Sequence, residues 1–436
     1  MDDIHDKWIF LIFDYLGLML YYIGYGLMWM TFRIFFRKIS VVGKDKFKHL
    51  SSTIIIANHP ASFLDAMVLA VFIGRPLHFY VRGDIFSHPL ARSVLSQLHM
   101  IPIYSIEHGV HNLGKNKNTF ERGQQLLRNG NMLLIFPEGF SRFSKELVPL
   151  KKGASRVALQ TAFEDQFNQD LQIQAVSINY SYHGFRSALH IRVGDSMKLD
   201  SYRESYLSQP NLAIATLNKD MASLFKKNVI HVKQGERTSH VESLIRISLQ
   251  DDYDGENYFI RSRNICNCVS ELDEKVFEDQ KHRLQEFEGL IMKYKLSHRA
   301  LSNAEQMSYP KSFLLLLLLP FAVIGFSLWH GIYFITKWVS DKTVTREDFY
   351  TSVFCGVLGV LGLIWWSTLI VLALSTQMST FIVVVIVSPF MYMFSLRWLE
   401  ETRNIFSSIR LKILMRQDKT AYEKLMDIRN MLECIK

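Results

Sequence analysis

The stretch IIIANHPASFLDAMVLA, Ile54–Ala70, sets a β-branched run directly before Asn58-His59-Pro60 and an apolar run soon after it. Consecutive isoleucines bounded by a turn read as a buried strand, and the apolar run beyond the turn reads as a helix. His59 then stands at the carboxyl end of the strand, where ligands gather in open α/β sheets. Asp65 lies six positions on, inside the following helix, where it can return to the imidazole. A neutral imidazole oriented by a carboxylate makes a general base near neutral pH. The carboxylate fixes the tautomer and stabilises the imidazolium formed during proton transfer. Asn58 can cap the helix start or brace the turn. Taken alone, a His and an Asp in one loop are structural more often than catalytic.

A second stretch changes that balance. MLLIFPEGFSRFSKELVPLKKGA, Met132–Ala154, again runs a strand into a turn, Pro137-Glu138-Gly139, followed by Ser141, Arg142 and Lys151-Lys152-Gly153. Backbone N–H groups of such a turn, with Arg and Lys nearby, suit a phosphate. A solvated surface turn is the plain reading of a basic loop. Two strand-to-loop motifs, one holding a base and one a phosphate cradle, weigh against it.

The rest of the chain frames these motifs. Its 436 residues suit two or three units of roughly 100–200 residues each. With 49% hydrophobic, 13% aromatic and 21% charged residues it has ample apolar surface to bury, which excludes a disordered chain. A mean hydropathy slightly above zero points to a soluble part joined to a membrane part. A net charge of +9 fits an anionic membrane surface or phosphate chemistry. Nucleic acid is the poorer reading of that charge, given the bilayer-length apolar segments. The four cysteines, Cys266, Cys268, Cys355 and Cys434, are too few for a disulfide framework at this length, so a reducing, cytoplasm-facing protein is expected.

Residues 1–40 form an N-terminal membrane-associated helix or hairpin: Trp8–Phe36 is long enough to cross a bilayer, and Asp14, Gly17, Gly24 and Gly26 equally suit dipping into one leaflet. MDDIHDK lacks the basic start of a secretory signal. Residues 41–250 read as the catalytic α/β domain on a mixed, largely parallel sheet. Its strands are Thr53–Asn58, Met132–Pro137, Ile173–Tyr180 and Ala188–Gly194, and Phe120–Asn129 and Ala154–Phe167 are amphipathic helices. Residues 251–311 are a charged helical connector whose stripe Val276, Phe277, Leu284, Phe287, Leu290 and Ile291 packs on the domain. Residues 312–399 hold three hydrophobic membrane segments, Ser312–Val339, Tyr350–Leu374 and Met378–Leu399, and 400–436 a basic helical tail. Arg403, Arg410, Lys412 and Arg416 place the tail in the cytoplasm, and the uncharged Ser375-Thr376-Gln377 turn on the other side. The loop Asp341–Asp348 then also faces the cytoplasm. Pro320, Gly325 and Gly331 interrupt the first segment, which is expected to be re-entrant or to lie in one leaflet if the α/β domain is cytoplasmic.

At these residues the sequence resembles the phospholipid/glycerol acyltransferase family, which includes glycerol-3-phosphate and 1-acylglycerol-3-phosphate acyltransferases. Asn58-His59 with Asp65 looks like its first, catalytic block, Phe136-Pro137-Glu138-Gly139 like its third, and Val176-Ser177-Ile178 falls where its fourth is expected. The commonest first block has four residues between His and Asp; here there are five, Pro60 to Leu64. That spacing, Phe-Pro-Glu-Gly-x-Ser and Pro149-Leu150-Lys151-x-Gly153 are similar to the branch of fungal-type glycerol-3-phosphate/dihydroxyacetone-phosphate acyltransferases, which also carries hydrophobic C-terminal segments. The motifs depart from the family in two places. Ser105 stands where the second block ends in arginine, and Arg142 is displaced from its position in Glu-Gly-Thr-Arg. Arg82, Lys115, Lys117, Arg122 or Lys151 can supply the missing charge.

The resemblance implies a membrane-bound O-acyltransferase with an acyltransferase-like α/β domain. It moves a fatty acyl group from an acyl thioester, acyl-CoA or acyl carrier protein, to a hydroxyl of glycerol 3-phosphate or 1-acylglycerol 3-phosphate. His59 is the general base and Asp65 its partner. Asn58, Glu138, Gly139, Ser141, Arg142 and Lys151 bind substrate. No acyl-enzyme, metal or further cofactor is expected, since Cys266-x-Cys268 lacks a second pair. The expected partners are the bilayer, the acyl carrier and a phosphorylated glycerol, with no nucleic acid. The catalytic domain is expected on the cytoplasmic face of an integral membrane protein. Met67, Val68, Leu69, Val71 and Phe72 either line an acyl tunnel or, the plainer reading, pack in the core. Two alternatives use the same residues: a phosphate-free acceptor such as an aminolipid hydroxyl, and a catalytically silent lipid-binding scaffold, against which the intact His59 and Asp65 argue.

Overall fold

The structure, a computed structural model, describes residues 19, 21–47, 52–104, 116–167, 170–249, 255–302, 309–376, 379–432 and 434. Ser105, Lys115 and residues 8–18 and 20 of the Trp8–Phe36 stretch lie outside them; residues 21–35 of that stretch form helix α1.

Seven strands make one mixed, largely parallel sheet in the order β1-β7-β6-β2-β5-β3-β4. They are β1 (Lys38–Val42), β2 (Thr53–Ala57), β3 (Leu77–Arg82), β4 (Met100–Ile103), β5 (Met132–Ile135), β6 (Gln172–Tyr180) and β7 (Ala188–Lys198). Every pairing is parallel except β6 with β7. All five residues of β2 and all nine of β6 are buried, as in strands covered on both faces, and in β6 the buried set includes the polar Gln172, Gln174, Ser177 and Asn179. Register brings the two motifs together. Ile56 pairs with Ile135 of β5 and with Ala175 of β6, so the turns leaving β2 and β5 emerge side by side at one sheet edge.

Helices α2 (Phe63–Phe72), α3 (Pro89–Gln97), α4 (Asn116–Arg128), α5 (Gly153–Glu164), α6 (Arg203–Ser208), α7 (Pro210–Asn228) and α8 (Thr238–Leu249) cover the sheet or flank it. In α2, Val68, Leu69, Val71 and Phe72 are buried in the same core as Phe79 and Phe86, in keeping with the core reading of this run.

The connector forms α9 (Gly255–Glu271), α10 (Glu274–Lys293) and α11 (His298–Ser302). The expected stripe is buried at Phe277, Leu284, Phe287 and Ile291, but its main neighbours are tail residues Leu411, Leu414, Leu425 and Ile428. Cys268 and Cys434, 166 residues apart, are disulfide-bonded, which departs from the expectation drawn from the cysteine count; Cys266 and Cys355 are free and buried.

The apolar region folds as α12 (Tyr309–Leu317), α13 (Leu319–Thr343), α14 (Glu347–Thr376) and α15 (Ser379–Gln417), followed by α16 (Lys419–Met431). Three of these, α13, α14 and α15, are long and apolar enough to cross a membrane. The break in the first segment falls at Leu318, just ahead of Pro320, while Gly325 and Gly331 sit in continuous helix. Gly325 is needed for close packing instead: a Cβ there would lie 2.5 Å from the Met391 carbonyl oxygen of α15. Nor does the chain break near Leu399, because α15 runs on to Gln417 before Asp418 caps α16 through the Ala421 N–H. Arg186 ties this bundle to the sheet. Its guanidinium makes a bidentate pair with Glu400 at 2.6 and 3.1 Å and donates to the carbonyls of Ile34 and Phe36.

Candidate active site

His59 leaves β2 into the turn before α2, and its Nδ1 lies 2.9 Å from Asp65 Oδ2. The imidazole is 17% exposed and the carboxylate fully buried. A buried carboxylate needs donors, and Asp65 has three: His59 Nδ1, the Ala61 N–H at 2.7 Å, and the Tyr180 hydroxyl at 2.7 Å on the other oxygen. Burial, and then the Asp65 charge, hold the Tyr180 phenol well above its usual range, so it stays a donor. The His59 ring stacks on Phe136 with centroids 3.8 Å apart and planes 11° from parallel. His59 also lines a cavity, with its Nδ1 side engaged by Asp65.

Asn58 braces the turn and does not cap the helix. Its amide donates to Ile178 O at 2.8 Å and accepts from Ile178 N at 2.7 Å, locking the end of β2 onto β6. The position ahead of α2 is Ser62, which makes no side-chain cap bond and sits at φ 52° and ψ −139°, a region glycine favours. Such a residue stores about 1–3 kcal/mol of backbone strain and persists only where its surroundings hold it.

The second motif reaches the same cavity. Glu138 is 6% exposed and accepts the His59 backbone N–H, and the Arg142 N–H donates to His59 O at 3.0 Å. The two turns are thus joined at His59. Gly139 has φ +79° and lies beneath Lys151, whose Cδ would be 2.5 Å from an added Cβ. The Lys151 ammonium reaches over Phe140 at 5.7 Å, and the Arg142 guanidinium is 3.6 Å from Glu146. Ser141 is turned elsewhere: its hydroxyl donates to Asp348 Oδ2 of α14 at 2.5 Å. Arg82 pairs with Asp84 at 2.8 Å.

Burial, reinforced by the Asp65 charge, pushes Glu138 from 4.5 up to about 7, against the opposing pull of Arg142 and the His59 N–H. Its folded pKa is raised, so its contribution to stability is full below the unfolded value and is lost as pH rises through about 7. The shift corresponds to roughly 3 kcal/mol. Glu138→Gln is therefore expected to be more stable than the wild type at pH 8 and to lose that advantage near pH 4.5. Chemical denaturation at the two pH values checks this; an equal offset at both would refute it.

The structure adds residues the motifs do not contain. Tyr180 completes the Asp65 shell. His183, buried beside Lys145 and Tyr180, is pushed down to about 3 by burial and that cation, so it is neutral. Lys145 pairs with Glu242 at 3.1 Å on the cavity wall. Among the described residues no cluster of His, Cys, Asp or Glu suited to a metal occurs. Tyr180 had a sequence signal, since it ends the strand expected beside the fourth block. Lys145, Glu242 and Asp348 had none.

A mixed α/β sheet with a His–Asp pair at its carboxyl edge defines a class of hydrolytic and transfer enzymes without fixing the reaction. Residues 38–180 match the family model described as Acyltransferase, which covers both turns and β6. Over 135 residues the chain is 25% identical to a chloroplastic 1-acyl-sn-glycerol-3-phosphate acyltransferase of Arabidopsis thaliana, covering 31% of this chain and 36% of that protein. A second such enzyme, from Brassica napus, is 24% identical over 135 residues, covering 31% of this chain and 38% of that protein. The chain thus spans little more than a third of the length of these curated relatives. The 1-acyl-sn-glycerophosphate acyltransferase of Thermotoga maritima superposes with a TM-score of 0.32 at 16% identity, over 52% of this chain and 98% of that one.

Proposed function

We propose that this chain is a membrane-bound O-acyltransferase that moves a fatty acyl group from an acyl thioester to a hydroxyl of glycerol 3-phosphate or 1-acylglycerol 3-phosphate. The observation that carries this reading is the His59–Asp65 pair, with Asp65 fully buried and His59 lining an open cavity. His59 Nε2 takes the proton of the acceptor hydroxyl as its oxygen attacks the thioester carbonyl. The tetrahedral intermediate collapses by expelling the thiolate of the carrier, which takes the proton back from the imidazolium. Asp65 stabilises that imidazolium. Glu138 orients the acceptor, and Arg142, with Lys151, faces its phosphate, while Gly139 lets Lys151 approach. Asn58 and Ser141 shape the two turns. Acyl-CoA or acyl carrier protein supplies the thioester.

Fatty acyl groups partition to bilayers by about 0.8 kcal/mol per CH₂, which favours an active site held at a membrane by α13, α14 and α15. The sheet, the Asp348 end of α14 and the tail share one side, as the Ser141–Asp348 bond and the packing of α16 against α10 require. We assign that side to the cytoplasm on the charge pattern read above and not on the cysteines, since the Cys268–Cys434 disulfide joins the connector to the tail there.

A second acceptor class has its own support. Both cations that line the cavity are already paired, Arg142 with Glu146 and Lys145 with Glu242, and Glu138 adds an acid but no further cation. That balance suits a phosphate-free lipid hydroxyl carrying an amine.

Purified protein in nanodiscs, given labelled palmitoyl-CoA and each acceptor separately, tests both. Acylation of glycerol 3-phosphate or its 1-acyl derivative is expected. Turnover of a hydroxylated aminolipid alone would transfer the reading to the second class. No turnover of any acceptor, dihydroxyacetone phosphate included, would overturn the assignment as an enzyme.

A further inference from the structure

We propose that Ser352, on helix α14, is a positioning residue for His59, so that a helix of membrane-crossing length completes the active site. The inference rests on the reading of His59 as the base. Ser352 is fully buried, and its hydroxyl bridges two backbone groups of the His59–Asp65 turn. It donates to the Ala61 carbonyl and accepts from the Leu64 N–H at 3.2 Å. These two groups flank Ser62, the residue at positive φ. Leu64 lies in the first turn of α2, where N–H groups have no intrahelical partner. The Ser62 side chain makes no cap bond, and Ser352 supplies one from a helix 288 residues away in sequence.

The contact is part of a stripe at helical spacing. Asp348, Ser352 and Gly356 lie at i, i+4 and i+8 on one face of α14. Asp348 accepts from Ser141, Ser352 holds Ala61 and Leu64, and Gly356 faces Phe63, whose ring an added Cβ would meet at an ordinary contact distance of 3.9 Å. Arg346 fixes the Asp348 carboxylate through two bonds of 3.1 and 2.8 Å. One helix face therefore grips the turn after β2 and the turn after β5. The helix has the length for both tasks. Its 30 residues rise about 45 Å, against the roughly 30 Å of a hydrocarbon core. About ten residues at its first end are free to dock on the sheet.

Asp65 reaches His59 across this turn, so slack in it displaces the imidazole without removing any group that touches substrate. Ser352→Ala, assayed as the full chain in nanodiscs, is expected to lower kcat about 10- to 100-fold, with KM for donor and acceptor held within about twofold. Ser352→Thr, which restores the hydroxyl, is expected to recover most of the loss. Ser388→Ala serves as control: it removes a buried hydroxyl from α15 that accepts from Trp329 Nε1 at 2.9 Å, and kcat should be unchanged. Should Ser352→Ala fail to fold, Ser352→Cys keeps the volume with a far weaker hydrogen bond and should show the same kcat defect.

A folded Ser352→Ala or Ser352→Cys protein with wild-type kcat would overturn the proposal. So would a loss shared by kcat, KM and Tm that the threonine variant does not reverse, since that marks a merely structural role. Inactive wild-type protein would instead sink the enzymatic reading itself, so the two failures are distinguishable.

Discussion

Alanine at position 59 is expected to lower kcat about 10²- to 10⁴-fold, the range a positioned general base contributes, while leaving KM for the acyl donor nearly unchanged. The His59 side chain does two things. Its Nδ1 is bonded to a fully buried carboxylate, and its ring stacks on Phe136. Removing it takes away the proton acceptor and one ring contact, whose loss costs about 0.5–1.5 kcal/mol of stability. The backbone at this position, by contrast, keeps its bonds from Arg142 N–H and to Glu138. The two turns should therefore stay joined and substrates should still bind. Initial rates with saturating donor and acceptor, set beside a thermal unfolding curve, separate these effects. Undiminished lipid acylation by His59→Ala would support the scaffold alternative and remove His59 from the mechanism.

Asp65→Asn should be as damaging to turnover, about 10⁴-fold by analogy with the carboxylate of serine-protease triads, and more damaging to the fold. The carboxylate accepts from His59, Ala61 and Tyr180. An amide keeps one acceptor oxygen and points an NH₂ at groups that are themselves donors. At least one donor is left without a partner in a fully buried place, at about 1–3 kcal/mol each. The imidazole is also free to take the wrong tautomer. Tyr180→Phe separates the two consequences, because it removes a donor to Asp65 but leaves the His59 bond intact. It should cost stability and only a modest part of kcat. A kcat for Asp65→Asn close to wild type would show that His59 needs no carboxylate partner, and the dyad reading would fall.

Much of the fold was legible because the inner strands are covered on both faces. β2 and β5 carry nearly unbroken apolar runs, β6 and the start of β7 interleave apolar with polar residues, and the structure places all four within a few residues of the sequence reading. β1, β3 and β4 were not read. β1 and β4 are the two edges of the sheet, and β3 beside β4 alternates buried with half-buried residues, so a short run such as Met100–Ile103 carries little signal. The apolar stretches of α13, α14 and α15, long enough to cross a membrane, were legible because runs of that length stand out in a sequence. Their ends were not, because α15 continues as a charged helix packed on the connector, and packing sets its boundary.

Within the site, sequence alone put a histidine and a carboxylate at a strand end and a Pro-Glu-Gly turn after another. Those are local matters of residue type and spacing. That the two strands are neighbours was decided by parallel register, which joins residues about eighty positions apart and leaves no mark in either segment. The same holds for every group that reaches the site from afar: Tyr180 on Asp65, Ile178 on Asn58, Asp348 on Ser141 and Ser352 on the His59 turn. The residue types were already in the chain, but only the tertiary structure assigned each side chain a partner, because a hydrogen bond forms at about 3 Å in space whatever the separation along the chain.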